Sequence, residues 1–133
     1  MSPIAISLPI ADRKRAMDFY RDVFGFETIG SPTEDGVPEP LSFRLGEGVE
    51  LSLIPVGGFG WVLGEREIAK PGVSECLLTA TVADDNKVSE TIERVRRAGG
   101  EVLGEPASRP WGFEATCADL DGHVWQVIAQ PQT

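Results

Sequence analysis

The chain has 133 residues, is 41% apolar and 25% charged, and carries a formal net charge of −9 at pH 7. That length suits one domain burying roughly two-thirds of its unfolded surface, and that composition excludes a disordered chain. No apolar run approaches the ~20 residues of a membrane span, and the acidic excess argues against nucleic acid, whose phosphates need a basic stripe. The acidic residues are scattered, so a solubilising surface is the simpler reading and a mild attraction for cationic ligands the other. Met1-Ser2-Pro3-Ile4-Ala5 has no basic region before an apolar stretch, so no secretory leader is expected. Cys76 and Cys117 are far apart and fall in apparent strands. They read as buried, reduced thiols of a cytoplasmic protein rather than a disulfide or a metal pair.

In chain order, Ile4, Ile6, Leu8 and Ile10 alternate with small residues, the period of a half-buried strand. A helix follows. Asp12 suits its N-cap, Ala16, Phe19, Tyr20, Val23 and Phe24 form an apolar stripe, and Gly25 suits its C-terminal end. Phe26 to Ile29 read as a second strand and residues 30–40 as a loop. Leu41 to Leu45 and Val49 to Val56 read as a hairpin. Residues 57–73 break the pattern. Their Gly57-Gly58-Phe59-Gly60-Trp61 run reads as a flexible aromatic connection, a lid, a dimer contact or a segment tucked onto the core.

The second half repeats the first. Cys76 to Val82 form a strand, and a helix then starts at Asp84 or Asp85, carries Val88, Ile92 and Val95, and ends at Gly99-Gly100. Glu101 to Leu103 echo Phe26 to Ile29, residues 104–110 read as a loop, and Phe113 to Ala118 with Val124 to Ala129 make a closing hairpin. The offset between halves is about 72 to 75 residues, an internal repeat of strand, helix and three strands. The predicted fold class is α+β: two βαβββ modules in one chain, helices outside curved mixed sheets that enclose a concave cavity. Module one spans about 3–56, a connecting segment 57–73 and module two about 74–130, all within a single domain over 1–133.

The pattern resembles the vicinal oxygen chelate superfamily, which includes glyoxalase I, extradiol dioxygenases and bleomycin-resistance proteins. The stretches that carry it are Ile6-Ser7-Leu8-Pro9-Ile10-Ala11-Asp12, Phe19-Tyr20-Arg21-Asp22-Val23-Phe24-Gly25-Phe26, Ala98-Gly99-Gly100, Pro110-Trp111-Gly112-Phe113 and Asp119-Leu120-Asp121-Gly122-His123-Val124-Trp125-Gln126. The resemblance implies that members doing chemistry hold a divalent metal on ligands from the first and last strand of each half. Here those places fall on Ala5 and Ser52, and on Leu77 and Gln126. Neither Ala5 nor Leu77 can ligate through its side chain, and a hydroxyl and an amide are weak substitutes for carboxylate or imidazole. The lone histidine, His123, follows a turn and reads as structural, with Asp119 and Asp121 satisfying turn N–H groups.

No catalytic set, metal or cofactor is therefore expected. Ser7, Ser52, Thr79 and Gln126 are the expected polar handles, and Trp61, Trp111 and Phe113 the aromatic walls, of a pocket for a small organic molecule. Glu114 reads as a solvated strand position, with a pocket carboxylate as its alternative, and Trp125 as core. The functional expectation is a metal-free, cytoplasmic, homodimeric protein of glyoxalase/bleomycin-resistance type that sequesters a toxic or antibiotic compound. Two alternatives stand beside it. One is a metal-dependent lyase, isomerase or dioxygenase with displaced ligands such as Gln126, Glu50, Glu75 or His123. The other is a dimeric interaction module with no ligand.

Overall fold

The structure is a computed structural model that describes residues 3–131. Met1 and Ser2, which entered the leader reading, and the last two residues of the expected domain lie outside the described residues. The chain forms two compact units, one ending at Ile68 and the other beginning at Ala69.

In the first unit, β1 (Ile4–Ile10) is followed by α1 (Arg13–Phe24), and β2 (Leu41–Gly46) and β3 (Val49–Pro55) form a hairpin. The sheet order is β1-β3-β2, with β1 parallel and β2 antiparallel to β3. The helix starts where the sequence predicts. Asp12 accepts a 2.9 Å bond from the Arg15 backbone N–H, and Gly25 takes φ 68°, a conformation that costs glycine nothing. Ala16, Met17, Phe19, Tyr20 and Val23 are buried, as are Leu51, Leu53, Leu41 and Phe43 of the hairpin. Tyr20, Phe24, Phe26 and Phe43 form a stacked and tilted aromatic cluster. Tyr20 and Phe43 are fully buried, Phe24 and Phe26 half-buried, and a fully buried side chain of this size contributes about 1.5–3 kcal/mol.

Two expectations need correction here. Phe26 to Ile29 do not form a full strand. They are reduced to a bridge between Thr28 and Phe43, because Gly30 turns away at φ 88° and Pro32 offers no N–H to extend the ladder. The segment predicted as a flexible connection opens as a helix, α2 (Val56–Leu63), with no buried residue. Its glycines allow close approach: a Cβ on Gly60 would lie 3.2 Å from Ile68 Cδ1, and one on Gly58 3.5 Å from Ile54 Cγ2. Contact with those two isoleucines offsets the roughly 1 kcal/mol that each glycine costs a helix.

In the second unit, β4 (Leu77–Val82) leads to α3 (Asp85–Arg97), then β5 (Glu101–Arg109), β6 (Gly112–Ala118) and β7 (Val124–Ala129). The sheet order is β4-β7-β6-β5, with β4 parallel to β7 and the remaining pairs antiparallel. Asp84 is the N-cap, accepting from the Lys87 N–H at 2.9 Å. Val88, Ile92 and Val95 are fully buried, and the helix packs on β5, β6 and β7. Residues 104–110 were expected as a loop, but β5 runs through most of them. Two register shifts around Gly104 let it stay paired with β6, and its place at the sheet edge tolerates Pro106. Cys76 is also corrected: it precedes the edge strand β4 and is exposed, whereas Cys117 is buried as expected. Both are free thiols.

The two units thus repeat strand, helix and strands as α+β modules with mixed sheets. Among the described residues no helix is long and apolar enough to cross a membrane.

Candidate functional site

Alternation along paired strands decides which side chains share a face of the four-stranded sheet. Leu78, Ala80 and Val82 of β4 and Trp125, Val127 and Ala129 of β7 share one face, and all three β7 residues are buried on it. Trp125 is therefore core, as expected. The opposite face carries Leu77, Thr79 and Thr81, then Val124, Gln126 and Ile128, then Glu114 and Thr116. Register makes Thr79 the direct neighbour of Gln126 on one side and Thr116 its neighbour on the other.

On this face one chain of hydrogen bonds joins four side chains. The Thr79 hydroxyl donates to Gln126 Oε1 at 2.9 Å. Gln126 Nε2 donates to Glu114 Oε1 at 2.7 Å. The Trp111 indole Nε1–H donates to the same Glu114 oxygen at 2.5 Å. The bonding also fixes the Gln126 amide: its oxygen must face the threonine and its nitrogen the carboxylate. Glu114 is 8% exposed. The indole bond, then the amide bond and the charge of Arg109, hold its carboxyl below the usual carboxylate range against the opposing effect of desolvation. Glu114 is thus ionised at neutral pH.

Local sequence explains how Trp111 reaches it. Pro110 and Trp111 form the turn between β5 and β6, and Gly112 follows at φ 140°. A Cβ on Gly112 would lie 3.3 Å from Ile128 Cδ1, so the missing side chain admits Ile128. The indole bonds a residue three positions on while Trp111 as a whole stays 63% exposed. The opposite end of the hairpin is a tight turn. Asp119 Oδ1 accepts from the Asp121 and His123 backbone N–H groups at 2.9 and 2.8 Å, and Gly122 takes φ 88°. That is the structural role expected of Asp119.

Of the seven expected site residues, the structure brings Thr79, Gln126 and Trp111 together. Phe113 lies half-buried on the helix side, opposed to Ser108, because alternation sends it away from Glu114. It is not a wall of this face. Ser7, Ser52 and Trp61 belong to the first unit. Ser7 opposes Ser52 across the β1–β3 pair, and Ser52 shares a 2.8 Å hydroxyl bond with Ser42 of β2. Trp61 projects from α2, 84% exposed.

Glu114 is buried rather than solvated, which favours its alternative reading as a pocket carboxylate, and Ser42, which the sequence reading does not name, completes the serine pair. The signal for Glu114 was present: hairpin register puts 114 and 116 on the face of 126. An open depression of about 450 Å³ at Arg21, Gly25, Phe26, Glu27 and Thr28 contains none of the expected residues.

Residues 4–127 match the model of the Glyoxalase/Bleomycin resistance protein/Dioxygenase superfamily. The chain belongs to this superfamily. A glyoxalase-related enzyme from Fulvimarina pelagi superposes with a TM-score of 0.83 at 26% identity, over 96% of this chain and 87% of that one. TioX from Micromonospora sp. ML1 gives 0.66 at 23%, over 98% and 100%. TnmS3, an antibiotic binding protein from Streptomyces sp. CB03234, gives 0.62 at 20%, over 98% and 96%. No curated protein matches significantly.

The superfamily's metal can be tested against the residues present. In the first unit the places that the resemblance assigns to ligands hold Ala5, whose side chain has no donor atom, and Ser52, whose hydroxyl is engaged by Ser42. In the second they hold Leu77, again without a donor, and Gln126, whose amide is engaged at both ends by Thr79 and Glu114. No group of three or more His, Cys, Asp or Glu converges among the described residues. This donor set does not fit a divalent metal, which wants converging carboxylate, imidazole or thiolate groups.

Proposed function

We propose that this superfamily member binds a small organic molecule, without metal or cofactor, on the polar face of the four-stranded sheet. Sequestration of a toxic or antibiotic compound is the most concrete form of that role. The single observation that carries it is the Thr79–Gln126–Glu114–Trp111 chain. It fixes three polar groups on paired strands and one exposed aromatic residue on the β5–β6 turn, beside the apolar Leu77, Val124 and Ile128. Apolar surface with sparse, oriented polar groups is the composition of a ligand site. Antibiotic binding by a protein of the same fold, TnmS3, supports the reading.

A cytoplasmic setting and a homodimer are part of the same proposal. Two free thiols, one of them exposed, suit a reducing compartment. Symmetric dimers are the commonest oligomers.

The test is a thermal-shift screen of planar and aromatic organic compounds on chelator-treated protein. A specific ligand at 100 times its Kd should add about 2.7 kcal/mol of stability. Its effect should be lost in Trp111→Leu. Compounds that act only after nickel, zinc or manganese is restored would replace this reading with the metal-dependent enzyme. A screen without any response would favour the interaction module.

A further inference from the structure

Glu114 is more than nine-tenths buried, yet only half of its carboxylate is used. Both of its hydrogen bonds, from Trp111 and from Gln126, fall on Oε1. Oε2 accepts no hydrogen bond among the described residues, and it is not among the sealed-off polar atoms without a partner, so it keeps access to solvent. Arg109 is the nearby cation that acts on Glu114, but only through its charge, since no hydrogen bond joins the two among the described residues. The residue is therefore a fixed anion presenting one unused oxygen.

The surroundings suit an occupant that carries positive charge. Trp111 is held by its N–H to the same carboxylate, which pins the indole plane while leaving the ring exposed. An exposed indole face attracts a cation or a planar body. The carboxylate accepts charge-assisted bonds, which are roughly twice as strong as neutral ones. The chain's net charge of −9 raises the local concentration of any cation.

We propose that this face recognises an organic cation: Glu114 Oε2 accepts the N–H of a protonated amine or guanidinium, and the exposed face of Trp111 receives its planar body. This deepens the small-molecule reading and rests on it. A neutral aromatic of the same shape has only the indole to bind. It is the weaker ligand by the charge-assisted bond.

The experiment uses a matched pair of probes, 2-naphthylmethylamine and its neutral isostere 2-naphthylmethanol, titrated at pH 7 into the wild-type chain and three variants. The variants are Glu114→Gln, which keeps the acceptor for Trp111 but removes the charge, Trp111→Leu, and Glu47→Gln. The last is an equal charge change in the β2–β3 turn of the other unit. The wild type and Glu47→Gln should bind the amine about tenfold more tightly than the alcohol, and Glu114→Gln should lower that ratio to about twofold. Trp111→Leu should weaken both probes. Equal binding of both probes by the wild type would overturn the cation proposal and leave the small-molecule reading standing. An amine preference that Glu114→Gln does not reduce, or that Glu47→Gln reduces equally, would assign it to overall charge and overturn the proposal. Binding of neither probe would overturn the proposal for this face. The screen described above then decides separately whether any small molecule binds.

Discussion

Replacing Gln126 by glutamate is the most informative single change, because it sets a second carboxylate against Glu114. In this chain it removes the 2.7 Å bond from Nε2 to an ionised Glu114 and sets a second negative charge beside it. Losing a charge-assisted bond costs about 1.5–3 kcal/mol. Two charges ~4 Å apart repel by about 4 kcal/mol at the effective dielectric of a protein surface, and solvent at the half-exposed position 126 lowers that further. Proton uptake sets a ceiling. Protonating one carboxyl at pH 7 costs about 1.4 kcal/mol for each of the roughly three units above its ordinary value, so the repulsion cannot exceed about 4 kcal/mol. A net loss of about 2–4 kcal/mol at pH 7.5 follows.

The pH dependence has a definite sign. The crowded pair has one folded-state pKa raised above its unfolded value, so the folded variant binds more protons than the unfolded one as pH falls toward the ordinary carboxylate range. The deficit should shrink to about 1 kcal/mol or less near pH 5, where a shared proton rebuilds an O–H···O⁻ bond. Urea denaturation of wild type, Gln126→Glu, Glu114→Gln and the double exchange at both pH values is the assay. In the double variant amide and carboxylate trade places, so most of the loss should be recovered, giving a coupling of at least about 1 kcal/mol. A Gln126→Glu variant within 0.5 kcal/mol of wild type at both pH values, or additive single effects, would refute the Gln126–Glu114 contact.

Further expectations concern the scaffold. Ser52→Ala leaves the buried Ser42 hydroxyl without its 2.8 Å partner and should cost about 1–2 kcal/mol in urea denaturation, whereas Ser42→Ala/Ser52→Ala should cost less than either single change. Gly104→Ala would place a Cβ 2.8 Å from Thr116 Oγ1, so it should destabilise by about 1–3 kcal/mol, and adding Thr116→Ala should recover most of that. Burial, with the nearby Asp119 charge, pushes the Cys117 thiol up to about 12. At pH 8 a thiol reagent should label one cysteine per native chain, Cys76, and two after unfolding. Because Glu114 is held below the usual carboxylate range, its stabilising contribution is full above that range and lost as pH falls through the lowered value. The Trp111 indole N–H resonance should move in that acidic window and stay still above it.

Much of this was legible in the sequence because period and caps act locally. Asp12 and Gly25 bound α1, Asp84 starts α3, and alternation from Trp125 to Ala129 sorts β7 into a core face and an open face. The misreadings share a cause. Gly57-Gly58-Phe59-Gly60 carries loop propensity, yet packing against Ile54 and Ile68 makes it helical. Gly104 and Pro106 look like loop residues, yet a bulged edge strand tolerates both. Cys76 continues the alternation of β4 in the sequence, yet the strand begins one residue later.

The site was half legible. Thr79 and Gln126 follow from register alone. Glu114 needed hairpin pairing across β6 and β7 to bring it to Gln126. Its bond from the Trp111 indole is a side-chain contact that no periodicity encodes.

The central claim, a metal-free ligand site on the Thr79–Gln126–Glu114–Trp111 face, is tested most directly by following that face during a titration. Chelator-treated, ¹⁵N-labelled protein is titrated with the compound that most raises its Tm, and the Trp111 indole N–H and the Gln126 side-chain amide are observed. The account predicts saturable shifts of both signals at the affinity given by the Tm, with Glu114→Gln altering them. Shifts confined to other residues, or shifts that require added metal, would contradict it.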